Sequence, residues 1–340
     1  MYTKKTVFVV GAGGSREVGL PMGTELAKII GRKLDFKSNG WEATQGDTGI
    51  YDGAKSYFKK QGSEVGNNEF MQAGRALSSA MANAVSIDNY LHTHGDNDVA
   101  VFMGKMGISQ SILEAERGSK IHGTNEIIDF RHIDDSWHNT FFKMATEGTL
   151  RANLGGLFSN VSIITFNYDR CIEHYLEQAL QNYYHMKPAE AQKVLRGLEI
   201  IHPYGQVGRL PWQAPGGIKF GQEVEPRDLP DIAFQIRTFT ERIEDEAVLG
   251  RIRAMIAEAA VIVYLGFSYG DMNMDLMTIE KSRTKSIFGT GYMISAPNRA
   301  AIENRVRQSV GGDTNVRRIE IADLKCNEFL NGYWRPIILG

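Results

Sequence analysis

The sequence predicts an α/β protein with a doubly wound, Rossmann-like parallel sheet and a mostly helical inserted subdomain. Short apolar runs rich in β-branched residues alternate with amphipathic helical segments, which is the pattern of parallel βαβ units. The first run, Val7–Val10, leads directly into the glycine-rich turn Gly11–Ser15. A chain of 340 residues is long enough for a full α/β core and an insertion.

The composition narrows the class of protein. The 38 basic and 40 acidic side chains give a formal net charge of -2, so charge favours neither nucleic-acid nor membrane-surface binding. Two cysteines, Cys171 and Cys326, are too few for a disulfide framework or a four-cysteine zinc site. No apolar run approaches the roughly 20 residues of a membrane-spanning helix, and the first residues lack a signal-peptide layout. We therefore expect a cytoplasmic protein.

The glycine turn is followed at Pro21 by a predicted helix. Residues 35–150 contain no β-branched run long enough for a second core strand, and helical spacing predicts helices at 69–85 and 97–115. We therefore predict a helical insertion over this segment. The remaining residues, 1–34 and 151–340, form the predicted sheet domain.

The strand signal resumes after residue 160. The further predicted strands are Val161–Phe166, Leu198–His202, Ala260–Leu265, 290–296 and 315–321, and the last three are separated by predicted helices at 273–284 and 298–309. A Gly/Pro-rich segment, 205–217, follows the second of these strands and is interpreted as an active-site loop.

Small or hydrogen-bonding residues follow five of the predicted strands. In chain order they are Gly11, Ala12, Gly13 and Ser15; Thr165, Asn167 and Asp169; His202; Gly266 and Ser268; and Asn298. In a doubly wound sheet, ligands bind beyond the carboxyl ends of the strands. Glycines without a Cβ let a pyrophosphate approach backbone N–H groups. The sequence therefore predicts a dinucleotide site at these strand ends.

Several of these residues also have structural interpretations. Asp169 would cap the helix predicted to begin at Arg170, and Ser15 would cap the turn that follows it. A lone buried histidine is usually structural, but the position of His202 at a strand end beside a glycine-rich loop favours a functional role. The segment His92–Asp96 is interpreted as a polar loop rather than a metal site.

The motifs GAGGSREVGLP, TFNYD, HPYG, GFS and SAPN resemble, in the same order, the NAD-binding motifs of sirtuins. More narrowly, the chain resembles the sirtuin-like domains of bacterial anti-phage defence proteins, which hydrolyse NAD and do not deacylate proteins. The resemblance covers residues 5–31 and 160–325. It implies an NAD+ glycohydrolase that releases nicotinamide and ADP-ribose or its cyclic form, with NAD as the substrate and without the zinc module of a deacylase.

The resemblance also implies a role for each position. The implied NAD-binding residues are Gly11, Ala12, Gly13, Ser15, Thr165, Gly266, Ser268 and Asn298, and the implied catalytic residues are Asn167, His202 and Asp169, with His202 as the base. Departure of nicotinamide develops oxocarbenium character at the ribose, which suits an asparagine that fixes ribose or water and a histidine that accepts a proton.

The sequence differs from the sirtuin pattern at two places. The family's Asp-Phe-Arg motif is missing after the first loop and occurs only at Asp129–Arg131. The histidine of a sirtuin deacylase is usually followed by glycine, whereas Pro203 and Tyr204 separate His202 from Gly205. The altered geometry suits water as the acceptor.

The resemblance further implies a homo-oligomer that acts with a HerA-type ATPase or an Argonaute-like partner. Two other functions stay open. One is a non-catalytic NAD- or ADP-ribose-binding regulatory module of an oligomeric complex. The other is an NAD-dependent dehydrogenase, for which Asp35 lies about 20 residues after the glycine turn, the spacing of the ribose-binding acidic residue.

Overall fold

A six-stranded sheet forms the centre of the molecule. The computed structural model describes residues 2–38, 43–62, 65–123, 126–239, 241, 245–312 and 316–339. The strands of the sheet are β1 (Thr6–Val10), β4 (Val161–Thr165), β5 (Glu199–Ile201), β6 (Val261–Leu265), β7 (Ser286–Thr290) and β8 (Arg318–Ala322), and a separate antiparallel pair consists of β2 (Lys37–Ser38) and β3 (Ala43–Gln45).

The strand order of the sheet is β5-β4-β1-β6-β7-β8, and every pairing in it is parallel. The chain adds strands outward from β1 on one side, returns to β1, and then adds strands outward on the other side. This is the order of a Rossmann fold, in which ligands bind where the order reverses. The predicted fold class is therefore confirmed, and the reversal lies between β1 and β6.

Helices cover both faces of the sheet. The helices of the described ranges are α1 (Ala12–Ser15), α2 (Gly23–Leu34), α3 (Thr48–Lys60), α4 (Asn67–Ala80), α5 (Ile87–Thr93), α6 (Asp98–Arg117), α7 (Trp137–Thr146), α8 (Cys171–Tyr184), α9 (Pro188–Leu195), α10 (Leu229–Ala233), α11 (Glu246–Glu258), α12 (Asp271–Met277), α13 (Ala296–Ser309) and α14 (Cys326–Leu339). Among these helices, none combines the length and the apolarity needed to cross a membrane.

Alternate residues of β1 enter two different hydrophobic clusters because successive side chains of a strand point to opposite faces. Val7 and Val9 pack in one cluster with apolar side chains of α2 to α6 and of α11. Phe8 and Val10 pack in the other with side chains of α7, α8 and α14. Residues 35–150 are largely helical, as predicted, and their helices contribute to both layers.

The structure corrects the position of the fifth strand. The prediction placed it at 290–296, but β7 is Ser286–Thr290. Tyr292 and Met293 are exposed, and Met293 adopts a left-handed φ of 59° that turns the chain toward α13. The apolar run after Thr290 therefore marks a turn rather than a strand.

The helix predicted at 273–284 is also shorter in the structure, because α12 ends at Met277. The segment after it bonds to other elements instead of continuing the helix. The N–H of Ile279 donates to the Ser309 carbonyl, and the N–H of Arg283 donates to the Ala257 carbonyl, both at 2.8 Å. The strand predicted at 315–321 begins at Arg318, and residue 315 lies outside the described residues.

Candidate functional site

Five of the predicted site residues form one buried hydrogen-bonded cluster at the carboxyl ends of β1 and β4. The side-chain N–H of Asn167 donates to the Gly11 carbonyl at 3.1 Å and to Ser15 Oγ at 2.9 Å. The Ser15 hydroxyl donates to Asp169 Oδ2 at 2.8 Å. The Thr165 hydroxyl oxygen accepts the Asn167 backbone N–H at 3.3 Å. Adjacent parallel strands thus bring together residues that lie about 150 positions apart, as parallel pairing predicts.

His202 joins this cluster from the end of β5. Its Nδ1 lies 2.9 Å from the Asn167 carbonyl oxygen, and its Nε2 lies 3.0 Å from Glu173 Oε1. Burial alone lowers the pKa of His202, but the Glu173 charge and the two hydrogen bonds outweigh it and raise that pKa. Burial raises the pKa of Glu173, but His202 outweighs burial and lowers it. The two side chains therefore form an ion pair.

This ion pair bears on the predicted role of His202 as a base. A carbonyl and an ionised carboxylate only accept hydrogen bonds, so with Glu173 ionised both ring nitrogens donate a proton in this conformation. An imidazolium accepts no further proton. His202 would act as a base only after one of its two hydrogen bonds is released and its proton is lost.

Two acceptor atoms in the cluster are buried without a hydrogen-bond partner among the described residues. They are Asn167 Oδ1 and Glu173 Oε2. A buried polar atom without a partner costs about 1–3 kcal/mol, so such atoms call for a donor. Ribose hydroxyls and water both supply one.

The glycine turn meets the end of β6 backbone to backbone. The N–H groups of Gly11 and Gly13 donate to the carbonyls of Leu265 and Gly266, and the N–H of Gly14 donates to the Gly11 carbonyl. Gly266 has a φ of 56°, and a Cβ on it would lie 2.1 Å from the Gly14 nitrogen. Only glycine fits this contact. The N–H groups of Gly11 and Gly13, both predicted to bind the dinucleotide, are therefore bonded within the chain.

Trp137 and Glu17 are not among the predicted site residues. Trp137 binds the glycine turn, and Glu17 binds the backbone of Trp137. The indole N–H of Trp137 donates to the Gly14 carbonyl at 2.7 Å. The Glu17 carboxylate accepts the backbone N–H of Trp137 at 2.7 Å and that of Asn327 at 2.8 Å, and so caps both α7 and α14. Burial raises the pKa of Glu17 although both N–H groups oppose the rise.

Three other predicted residues lie outside the buried cluster. Ser268 and Asn298 are exposed, and Asn298 lies in the first turn of α13. Ala12 begins α1 and is half-buried. The Asp129–Arg131 motif forms a local ion pair, and the Arg131 side chain is 87% exposed, so this arginine does not reach the cluster.

Asp169 accepts a backbone N–H at the start of α8, as its structural interpretation predicted, and also binds Ser15. Its Oδ1 accepts the N–H of Cys171 at 3.1 Å, at the start of α8, and its Oδ2 accepts the Ser15 hydroxyl. The same carboxylate therefore caps α8 and fixes the side chain of the glycine turn.

Glu173 is also absent from the predicted site residues, although the sequence carried a signal for it. It lies in the first turn of α8 between Ile172 and Tyr175, which are buried. An acidic residue on an apolar helix face directly after a strand end indicates a buried partner.

A second buried ion pair joins the insertion to the start of α8. Glu116, at the end of α6, accepts the backbone N–H of Arg170 at 2.9 Å, its Nε–H at 3.1 Å and the N–H of Gly221 at 3.0 Å. The guanidinium also donates to the carbonyls of Ile218 and Lys219 at 2.6 and 3.1 Å. Both side chains are fully buried. The pair therefore fixes the loop 218–221 against α6 and α8.

A cavity of about 650 Å³ lies along the outer side of α8. His174, Gln178, Trp212 and Phe220 are among the residues that line it, and none of the strand-end residues does. Burial lowers the pKa of His174 to about 4, so this histidine is neutral. Within the described ranges, no group of three or more His, Cys, Asp or Glu side chains is arranged to hold a metal ion.

Fold and cluster together define a Rossmann-like α/β protein with a closed polar site at its strand ends. A scan against models of known protein families and a search of curated proteins found no match to the chain.

Proposed function

We propose that this protein is an NAD+ glycohydrolase that cleaves the nicotinamide–ribose bond and so depletes NAD in anti-phage defence. The observation that carries the proposal is the environment of Asn167. The Gly11 carbonyl and Ser15 fix its amide nitrogen, and its buried Oδ1 has no partner in the described part of the chain. An acceptor at this place suits a ribose hydroxyl, because dinucleotides bind at the strand ends of such a sheet.

The chemistry asks for a fixed ribose and a proton acceptor. The C1′–N bond breaks with its electron pair moving to nicotinamide, which leaves neutral, and a water oxygen bonds to C1′. Asn167 Oδ1 would accept a hydrogen bond from the ribose or from that water. His202 would take the proton of the water after its own Nε2 proton has passed to solvent and left a neutral imidazole, and a placed base is worth about 10²–10⁴-fold in rate. If a ribose hydroxyl attacks instead, the product is cyclic.

One observation favours a non-catalytic NAD- or ADP-ribose-binding module as the second candidate. Both nitrogens of His202 and the N–H groups of Gly11, Gly13 and Gly14 are bonded within the chain. A site closed in this way needs a rearrangement before it turns over a substrate. The dehydrogenase alternative is left without the acidic residue that supported it. Asp35 lies at the end of α2, where its carboxylate accepts a hydrogen bond from the Gln45 side chain, and not at a strand end.

The test is release of nicotinamide from NAD by the purified protein, alone and with lysate of phage-infected cells, measured by chromatography. Under whichever condition gives release, we expect Asn167→Ala and His202→Ala to lower the rate at least about 10²-fold. Asn182→Ala is the matched control, because Asn182 is exposed near the end of α8. Full activity in both site variants would refute the residue roles. NAD binding by calorimetry without release under any condition would favour the binding module.

The proposal also includes a homo-oligomer and a partner of the HerA-type ATPase or Argonaute-like class. Light scattering of the purified chain measures the first. Nicotinamide release with and without the co-expressed partner measures the second.

A further inference from the structure

We propose that Glu173 is the positioning residue of this site: its carboxylate fixes the His202 ring and keeps the proton on Nε2 until a ligand hydroxyl or a water takes the place of the imidazole. The catalytic part of this inference rests on the proposed function. The positioning part concerns the protein alone and is testable without a substrate.

The geometry of the ring supports the assignment. His202 is held at both nitrogens, by the Asn167 carbonyl at 2.9 Å and by Glu173 Oε1 at 3.0 Å. The side chains of His202 and Glu173 are only 8% and 2% exposed. Two opposed hydrogen bonds fix both the tilt and the rotation of an imidazole ring, and burial removes the water that would compete for them.

Only one of the two carboxylate oxygens of Glu173 accepts a hydrogen bond from His202. Oε1 accepts from His202, whereas Oε2 is buried and has no partner among the described residues. This free acceptor belongs to the carboxylate that binds His202, and His202 in turn binds the Asn167 carbonyl. A ligand donor that bonds to Oε2 draws on the charge of the same carboxylate and so weakens the hydrogen bond that Oε1 accepts from the imidazole. Ligand entry and release of the Nε2 hydrogen bond are therefore coupled through Glu173.

Few other charges face the pair. Asp169 acts on His202 and favours its protonated form. Arg170 acts on Glu173 and favours its ionised form, although Glu116 already neutralises this guanidinium. Glu173 is the charged group that touches the ring itself, so its replacement removes the largest attraction that the imidazolium experiences.

The primary test is the titration of His202 in ¹⁵N-histidine-labelled protein, with its signal assigned by its loss in His202→Gln. We expect both ring nitrogens to be protonated at pH 7 in the wild-type protein. In Glu173→Gln the titration midpoint of His202 should fall by about one to three pH units. Glu177→Gln is the matched control, one turn further along α8, and should leave the midpoint unchanged.

Two results would overturn the inference. The first is a neutral His202 at pH 7 in the wild-type protein, which requires no variant to fold. The second is an equal midpoint in the wild-type protein and Glu173→Gln.

The pH profile of nicotinamide release extends the test to catalysis. The acid limb of kcat/KM should move to lower pH in Glu173→Gln by the same interval as the His202 midpoint, while a purely structural role would lower the rate without moving the limb. If neither the wild-type protein nor Glu173→Gln releases nicotinamide, the proposed function fails. The titration of His202 then still decides whether Glu173 positions its ring.

Discussion

Replacing Glu116 with Gln removes the negative charge from a fully buried ion pair while it keeps the size of the side chain. Glu116 accepts four hydrogen bonds, three from Arg170 and one from the Gly221 N–H. In the variant the guanidinium stays buried without a counter-charge, and the new amide N–H₂ faces donors. We therefore expect Glu116→Gln to destabilise the protein strongly.

The magnitude follows from the burial. Neutralising one partner of a buried pair costs about 3–5 kcal/mol. Unfolding entropy is about 2.1 cal/mol/K per residue, so 1 kcal/mol corresponds to about 1.4 °C in a chain of 340 residues. The melting temperature should therefore fall by about 4–7 °C. Burial raises the pKa of Glu116 although Arg170 opposes the rise, so this carboxyl takes up a proton in the folded protein at a higher pH than in the unfolded chain.

The assay is urea unfolding at pH 7 and 25 °C, followed by circular dichroism and, separately, by tryptophan fluorescence. Glu114→Gln is the matched control on the same helix. Glu114 pairs with Lys33 but its side chain is 40% exposed, so its loss should cost less than about 1 kcal/mol. A Glu116→Gln variant within 1 kcal/mol of the wild-type protein would refute the assignment of this pair as a clamp.

Three further predictions concern the glycine turn and the core behind it. Gly266→Ala should lower the free energy of unfolding by about 2–5 kcal/mol, because the alanine Cβ would adopt a left-handed φ and clash with the Gly14 nitrogen. Gly250→Ala is the control in the same urea assay, because a Cβ at Gly250 meets no atom within 4 Å. Trp137→Phe should cost about 1–3 kcal/mol because it leaves the Gly14 carbonyl without its indole donor; an unchanged urea midpoint would contradict this. Burial lowers the pKa of His138 to about 3, below the unfolded value of about 6.5, so this histidine stabilises the fold above pH 6.5 and loses that contribution as the pH falls. His138→Phe should remove about 3 kcal/mol of the stability loss between pH 7 and 4, and parallel pH profiles for the two proteins would exclude this.

The interior of the sheet was predictable because its strands are apolar on both faces. The predicted bounds of β4 and β6 are within one residue of the observed ones. Strand β7 was not predictable in this way, because it holds Gly289. A Cβ there would lie 2.3 Å from the Tyr269 hydroxyl, so the glycine reflects a contact between segments that no local pattern contains.

The residues of the site likewise include some that local sequence patterns predict and some that they do not. Ser15, Asn167 and Asp169 were predictable because the ends of neighbouring parallel strands meet at one edge. The sequence indicates that Glu173 is buried, but it does not indicate which group Glu173 binds. Glu173 and Glu116 lie 29 and 54 residues from the groups that they bind. Such pairs are set by the packing of α8 and α6 onto the sheet, which periodicity does not encode.

The position of β1 in the middle of the sheet has a consequence for biosynthesis. Thr6 pairs with Val161 on one side and with Val261 on the other, so β1 is synthesised before both of its neighbours and pairs only after they have followed. At about 5–20 residues per second this delay lasts many seconds, and pairing between strands so distant in sequence is slow in itself. A nascent chain therefore lacks the contact between the glycine turn and the end of β6 until translation has passed Gly266.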